Sequence, residues 1–329
     1  MSKITLAHGG GGRLQDELIR NEIAPRFNNT MLASLPDGAL TPENLVISSD
    51  SFVITPRFFP GGSIGKLAVA GTVNDILMAG GIPKYLTCSL IIEEGLELDE
   101  LRQILDDMAE AARKSNVFIV TGDTKVVPAG AGDGLYINTA GVGFKRSGIE
   151  LGKSRFVPGD KIIVSRSIGE HGLCVLASRY DLDCGSLKSD CAILQSPVAK
   201  LCETAGNALK FMRDATRGGV LGIVDEIFEN SPCGAVVRED SLPVAPEAGA
   251  VAKLLGIEPG FAACEGCFAA VVSGDKAEEC VNVLRQDELC RNAAIIGEVT
   301  AEKSVMLQGS WGALRKLQVP AGDQLPRIC

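Results

Sequence analysis

The chain has 329 residues, of which 46% are apolar and 38 are glycine, and its formal net charge is −9. That length suits two domains of ordinary size, each with a core of its own. The acidic balance, with no block of basic residues, argues against a nucleic-acid partner, and without an unbroken apolar run of about eighteen residues no membrane span is expected.

The first residues, Met1 to His8, lack the apolar core of a secretion signal, so a cytoplasmic location is expected. His8 opens the run Gly9-Gly10-Gly11-Gly12, a backbone able to wrap closely around an anion. Leu14, Leu18 and Ile23 then suggest a helix. Asn44 to Ile54 reads as an apolar strand with Asp50 inside it, where an aspartate is disfavoured unless it has a role. After Pro60-Gly61-Gly62, Ser63 is placed to cap a helix from Ile64 to about Ala79, and this apolar helix carries Asn74-Asp75. A strand over Tyr85–Ile92 and an amphipathic helix over Leu98–Ser115, capped by Asp99, follow. The strand Val117–Val120 runs into Thr121-Gly122-Asp123-Thr124-Lys125, and Gly134–Phe144 is a further strand. The polar stretch from Lys145 to Pro158 marks the boundary between domains, taken as 1–152 and 153–310.

The second half restarts with a strand at Lys161–Ser165 and a helix at Gly169–Tyr180. Ser196-Pro197 reads as a cap with proline in the first turn, opening a helix whose apolar face reaches Leu209. Arg213-Asp214-Ala215-Thr216-Arg217-Gly218-Gly219 leads into a helix through Phe228. Strands are expected near 235–238, 268–273, 294–297 and 304–307, with a helix near 276–287. The fold class is therefore mixed α/β. Of the 11 cysteines, most read as small buried hydrophobes; Cys264-Glu265-Gly266-Cys267 is a single C-x-x-C without a second pair at zinc spacing. The stretch 311–329 carries Pro320 and Pro326 and closes on Cys329, which suggests a mobile, extended tail bearing a thiol. A prenylation box is excluded, because that cysteine would need residues after it.

Asp50, Asp75, Asp123 and Asp214 each lie beside apolar segments that should bury. Unpaired buried carboxylates are costly, and a hard cation such as Mg²⁺, sharing its coordination with phosphate, is the usual remedy. Gly9–Gly12 and Arg217-Gly218-Gly219 are natural phosphate cradles. Neither a P-loop nor a protein-kinase signature is present.

Taken together, Asp50 to Pro56, Phe59-Pro60-Gly61-Gly62, Ile64-Gly65-Lys66-Leu67-Ala68-Val69, Gly71 to Asp75, Gly122 to Val127, Arg213 to Gly219 and the closing Pro326-Arg327-Ile328-Cys329 resemble the HypE family of hydrogenase-maturation carbamoyl dehydratases. That family is related to aminoimidazole ribonucleotide synthetase, selenophosphate synthetase and thiamine-monophosphate kinase. The resemblance implies an aminoimidazole ribonucleotide synthetase-like fold in two domains, a homodimer formed by the first domains, and ATP with Mg²⁺ as cofactors. It implies Mg²⁺ at Asp50, Asp75, Asp123 and Asp214. It places Asp214, His8, Gly9, Gly10, Gly11, Lys66, Asn74, Thr216 and Arg217 around the nucleotide or acceptor, and Lys125 and Glu265 near the reacting group. The implied reaction is ATP-dependent dehydration of a carboxamide on the Cys329 sulfur to a thiocyanate, with the carbamoyltransferase HypF as donor and the HypC–HypD complex as cyanide acceptor. The alternatives are a selenophosphate synthetase-like or other small-molecule kinase of the superfamily, disfavoured because residues 5–12 hold neither Cys nor Lys, and a non-enzymatic thiol carrier.

Overall fold

A computed structural model of the chain describes residues 3–10, 13–27, 29–32, 35–320 and 328–329. Gly11 and Gly12 of the expected cradle, and Pro326 and Arg327 of the closing motif, lie outside the described residues.

Short helices α1 (Arg13–Leu18) and α2 (Ala24–Phe27) precede the first sheet. Then come β1 (Ala39–Leu40), β2 (Leu45–Phe52), the small hairpin β3 (Phe58–Phe59) and β4 (Gly62–Ser63), α3 (Ile64–Met78), β5 (Gly81–Glu93), α4 (Leu98–Lys114), β6 (Phe118–Val127) and β7 (Leu135–Lys145). The first sheet has five strands in the order β1-β2-β7-β5-β6; β5 and β6 are parallel, with α4 as their crossover, and the other pairs are antiparallel. Helix α3 is apolar nearly all round because it is covered nearly all round, by β2, β5 and β7 of this sheet, by α4, and by elements of the second half. Ser63 caps it as expected, accepting from the Lys66 N–H at 3.3 Å. The cap of α4 is Glu97 rather than Asp99, which lies in the first turn and interacts there with the positive end of the helix.

The second half comprises β8 (Lys161–Val164), α5 (Glu170–Arg179), α6 (Gln195–Ala205), β9 (Leu209–Asp214), α7 (Gly219–Phe228), β10 (Gly234–Arg238), α8 (Pro246–Leu255), β11 (Phe268–Val272), α9 (Ala277–Leu284), β12 (Ala294–Thr300), β13 (Val305–Gln308) and β14 (Leu314–Lys316). Its sheet has seven strands, β14-β13-β10-β12-β8-β11-β9. Three local readings of the sequence are revised. Helix α6 begins at Gln195, so Ser196 is no cap; its hydroxyl donates to Asp287 at 2.7 Å. Gly206, at φ 50°, ends that helix, so Leu209 opens strand β9 instead of extending a helical face. The sheet also runs past residue 310, since β14 pairs with β13 inside the stretch read as tail.

The main core is continuous between the halves: Phe52, Leu67, Val73 and Met108 of the first pack in one cluster with Leu173, Val198, Phe268 and Cys280 of the second, and Ile328 belongs to the same cluster. A second core, with Val220, Val224 and Ile227 of α7, covers the opposite face of the second sheet.

Candidate functional site

The junction of α3 with β2 and β9 gathers carboxylates. Along β2, Ser48 and Asp50 are two residues apart and share the face turned toward α3. Ser48 Oγ donates to Asp75 Oδ2 at 2.5 Å. One turn before Asp75 stands Gly71, where a Cβ would lie 3.4 Å from Asp50 Oδ2, so the Asp50 carboxylate leans on the same stretch of helix. Asp214 closes β9, which also packs on α3. A fourth acid, Asp37, arrives from the loop before β1 and pairs with Arg213 at 3.2 Å; Arg213 also pairs with Glu226 at 3.0 Å. Burial raises the pKa of Asp75, and the charges of Asp214, Asp37 and Asp50 raise it further. Asp214 is raised in the same way, by burial first and then by Asp37. Burial also raises Asp37 and Asp50, against the pull of Arg213 and Arg217 respectively.

Beside this cluster lies the loop that carries Glu265. Asp190, itself buried, holds the loop by accepting from the Glu265 N–H at 2.9 Å and the Gly266 N–H at 3.2 Å. A Cβ at Gly266 would sit 2.0 Å from the Asp190 carbonyl, so only glycine allows this approach. Gly219, at φ +61° and close to the Gly260 and Ala262 carbonyls, lets the start of α7 nest against the same loop. The Glu265 side chain is 2% exposed, and its Oε1 has no hydrogen-bond partner. Burial raises its pKa well above the ordinary carboxylate value, and Asp214 and Asp50 add to the shift.

Into this corner the chain inserts its last two residues. Ile328 is buried, and its carbonyl accepts from His171 Nε2 at 2.5 Å. A terminal main-chain oxygen of Cys329 accepts from the Val53 N–H at 3.0 Å. Arg217 Nε lies 3.4 Å from the Cys329 sulfur, while its Nη1 donates to Gln15 at 3.3 Å. Burial pushes the Cys329 thiol up to about 12, with Arg217 pulling it down and Glu265 and Asp50 pushing it up. The sulfur therefore sits among the guanidinium, the unpaired carboxyl and the first acid of the cluster.

Other expected site residues stand elsewhere in the single chain. Asp123 and Lys125 lie on β6, exposed and paired with each other at 2.5 Å, and that lysine holds the Asp123 carboxyl below its ordinary value. They lie apart because β6 is an edge strand and its outer side is uncovered. Asn74 is fully used as a pin: its amide donates to the carbonyls of Ala192 and Glu265 at 3.0 and 3.3 Å, and its oxygen accepts from Leu194 N–H at 3.0 Å. Lys66 donates to the Gly61 carbonyl at 2.9 Å. His8 bonds back to Thr5 at 2.8 Å across its own turn, with Gly9 and Gly10 directly after it. Thr216 is half-buried between Asp214 and Arg217. Asp37, Asp190 and His171 were not singled out in the sequence.

Among the described residues, no three His, Cys, Asp or Glu side chains close into a ready-made metal cage. Mg²⁺ needs none. It keeps waters and phosphate oxygens and takes only one or two carboxylates. Four acids raised by burial, of which Asp75 and Asp214 are raised further by their neighbours' charges while Arg213 pairs with Asp37, are a donor set that a divalent cation with its phosphates would relieve. Asp50, Asp75 and Asp214, with Asp37, fit that role.

Comparison with known proteins gives the family. Residues 36–144 match the model of the AIR synthase related protein N-terminal domain, and residues 157–309 that of the C-terminal domain. The chain is 42% identical to carbamoyl dehydratase HypE of Escherichia coli K12, over 100% of both chains. It superposes on HypE in a HypE–HypF complex with a TM-score of 0.89 at 40% identity, covering 92% of this chain and 99% of that one. It superposes on HypE crystallised with ATP with a TM-score of 0.83 at 39% identity, covering 99% and 100%. Full-length similarity at this level, carried by both domains of the fold, shows that the chain belongs to the HypE carbamoyl dehydratase family.

Proposed function

We propose that the chain is an ATP-dependent carbamoyl dehydratase of hydrogenase maturation, converting a carboxamide on its own Cys329 sulfur to a thiocyanate, the source of a cyanide ligand for the [NiFe]-hydrogenase iron. The observation that carries this reading is the Cys329 sulfur 3.4 Å from Arg217, with Glu265 and Asp50 as its other charged neighbours. HypE of Escherichia coli bears the name of this activity, and a HypE has been crystallised with ATP.

The balance is R–S–C(=O)–NH₂ plus ATP giving R–S–C≡N plus ADP and phosphate. Bound MgATP supplies a phosphoryl group that turns the amide oxygen into a leaving group. Of Asp50, Asp75 and Asp214, one or two would hold the metal directly and the rest would orient the triphosphate end through its waters. Arg217, 3.4 Å from the sulfur, would neutralise charge on the amide oxygen as it is phosphorylated. Glu265, as the carboxylate, would accept one amide N–H proton through its unpaired Oε1, and the second would leave with the departing phosphate. Burial of Glu265, with Cys329 partly buried beside the core, would limit bulk water at the phosphorylated amide.

A homodimer belongs to the same proposal. β6 exposes Phe118, Val120 and Val126 at 54, 57 and 67%. A second copy covering this face would bury them and bring its Asp123 and Lys125 toward the first copy's site. HypF as carbamoyl donor, HypC–HypD as acceptor, a cytoplasmic location and a division between domains at residue 152 complete the reading; a HypE–HypF complex has been crystallised. Among the described residues, no helix is long and apolar enough to cross a membrane. Cys329→Ala tests the reading: ATP binding should persist while cyanide formation is abolished, and a variant that still forms cyanide would refute it.

A further inference from the structure

We infer that His171 is the latch that holds the tail in the site, using the one N–H that otherwise faces Glu265. His171 is the second residue of α5 and is wholly buried, with the Phe59 ring edge-on at 5.3 Å. Its hydrogen bonds define its tautomer. Nε2 lies 2.5 Å from the Ile328 carbonyl, which can only accept, so Nε2 carries a proton. Nδ1 lies 2.7 Å from Ser189 Oγ, and that oxygen accepts from the Cys191 N–H at 3.0 Å. Burial favours the neutral ring, and in that form Nδ1 accepts from the Ser189 hydroxyl.

The other acceptor near that N–H is Glu265 Oε1, 4.0 Å from Nε2 and without a partner of its own. With the tail docked, the N–H is spent on the Ile328 carbonyl, and Glu265 Oε1 is left open toward the sulfur. With the tail withdrawn, the Ile328 carbonyl is gone and the N–H turns to Glu265. Docking of the tail thus frees the acceptor that the reaction needs at the moment the substrate arrives. His171 is a positioning residue, acting through Ile328 and Glu265. The latch rests on geometry alone; its consequence for Glu265 rests on the dehydratase reading.

The test follows Cys329 exposure in the full-length chain, as the rate of its alkylation by iodoacetamide, read by mass spectrometry of the C-terminal peptide. Loss of one hydrogen bond in His171→Ala should speed alkylation roughly five- to tenfold. In His171→Gln the side-chain amide nitrogen reaches the place of Nε2, so protection should stay near wild type. In His171→Asn the side chain is too short and should behave as alanine. Equal rates in wild type and His171→Ala would overturn the latch. Equal rates in the Gln and Asn variants would overturn it too, even if the alanine variant were unfolded. The assay needs no turnover, so a protein that protects Cys329 through His171 yet dehydrates nothing would refute the dehydratase reading and leave the latch standing.

Discussion

Glu265 is built by subtraction: its backbone is held at N–H and C=O by Asp190 and Asn74, while its Oε1 is left without a partner. A base must be ionised to act, and burial holds this carboxyl protonated to higher pH than an ordinary glutamate. The rate of water loss should therefore climb with pH through that raised value, and Glu265→Gln should lower it about 10²- to 10⁴-fold while leaving nucleotide binding intact; a pH–rate profile and a nucleotide titration check both. The acid cluster gives a second prediction. Asp75 and Asp214 titrate above 3.8 in the folded chain, so the stability they contribute at low pH is lost as pH rises through their folded values. Without Mg²⁺ and nucleotide, Asp214→Asn should flatten part of that decline in melting temperature, and should also weaken MgATP binding. Asp50, Asp75 and Asp214 were legible in the sequence because each interrupts an apolar segment. Asp37 was not, since Pro36-Asp37-Gly38 has the composition of a surface turn, and only the fold turns it inward. His171 carries no local signal at all, because its partners come from residues 189 and 328.

At the level of elements, periodicity was a sound guide wherever a segment met one kind of neighbour. The amphipathic α4 and the alternating β7 were readable on that ground. Strand β9 was hidden because Leu209 falls at helical spacing from Leu201, Cys202 and Ala205, although Gly206 ends α6 before it. Helix α3 reads as buried from composition alone, yet its covering by two halves of the molecule could only be seen in the fold. Strand β6 shows the opposite case: its apolar residues suggested burial, but the chain leaves them uncovered. If a second copy covers them, Phe118→Lys combined with Val120→Lys should shift the protein from dimer to monomer in sedimentation, because two charges would be buried without partners. The same variant should lose dehydration while its sheet, held by backbone pairing, remains intact by circular dichroism. A monomeric wild-type protein would contradict the dimer.

Taken whole, the molecule brings its last two residues back to Val53 at the end of β2, to His171 in α5, to Arg217 just before α7 and to the Glu265 loop, contacts that lie far apart in the sequence. That meeting is what ties the acid cluster, the guanidinium and the unpaired carboxyl to one sulfur, and it was not visible from the tail's composition, which spoke only of an extended arm. The central claim is that this sulfur carries the group being dehydrated. Intact-mass spectrometry of the full chain tests it most directly. After incubation with a carbamoyl donor, the protein should gain one carboxamide on Cys329, and that adduct should lose one water only when ATP and Mg²⁺ are both present. An adduct that forms on another residue, or loses water without nucleotide, would contradict the account.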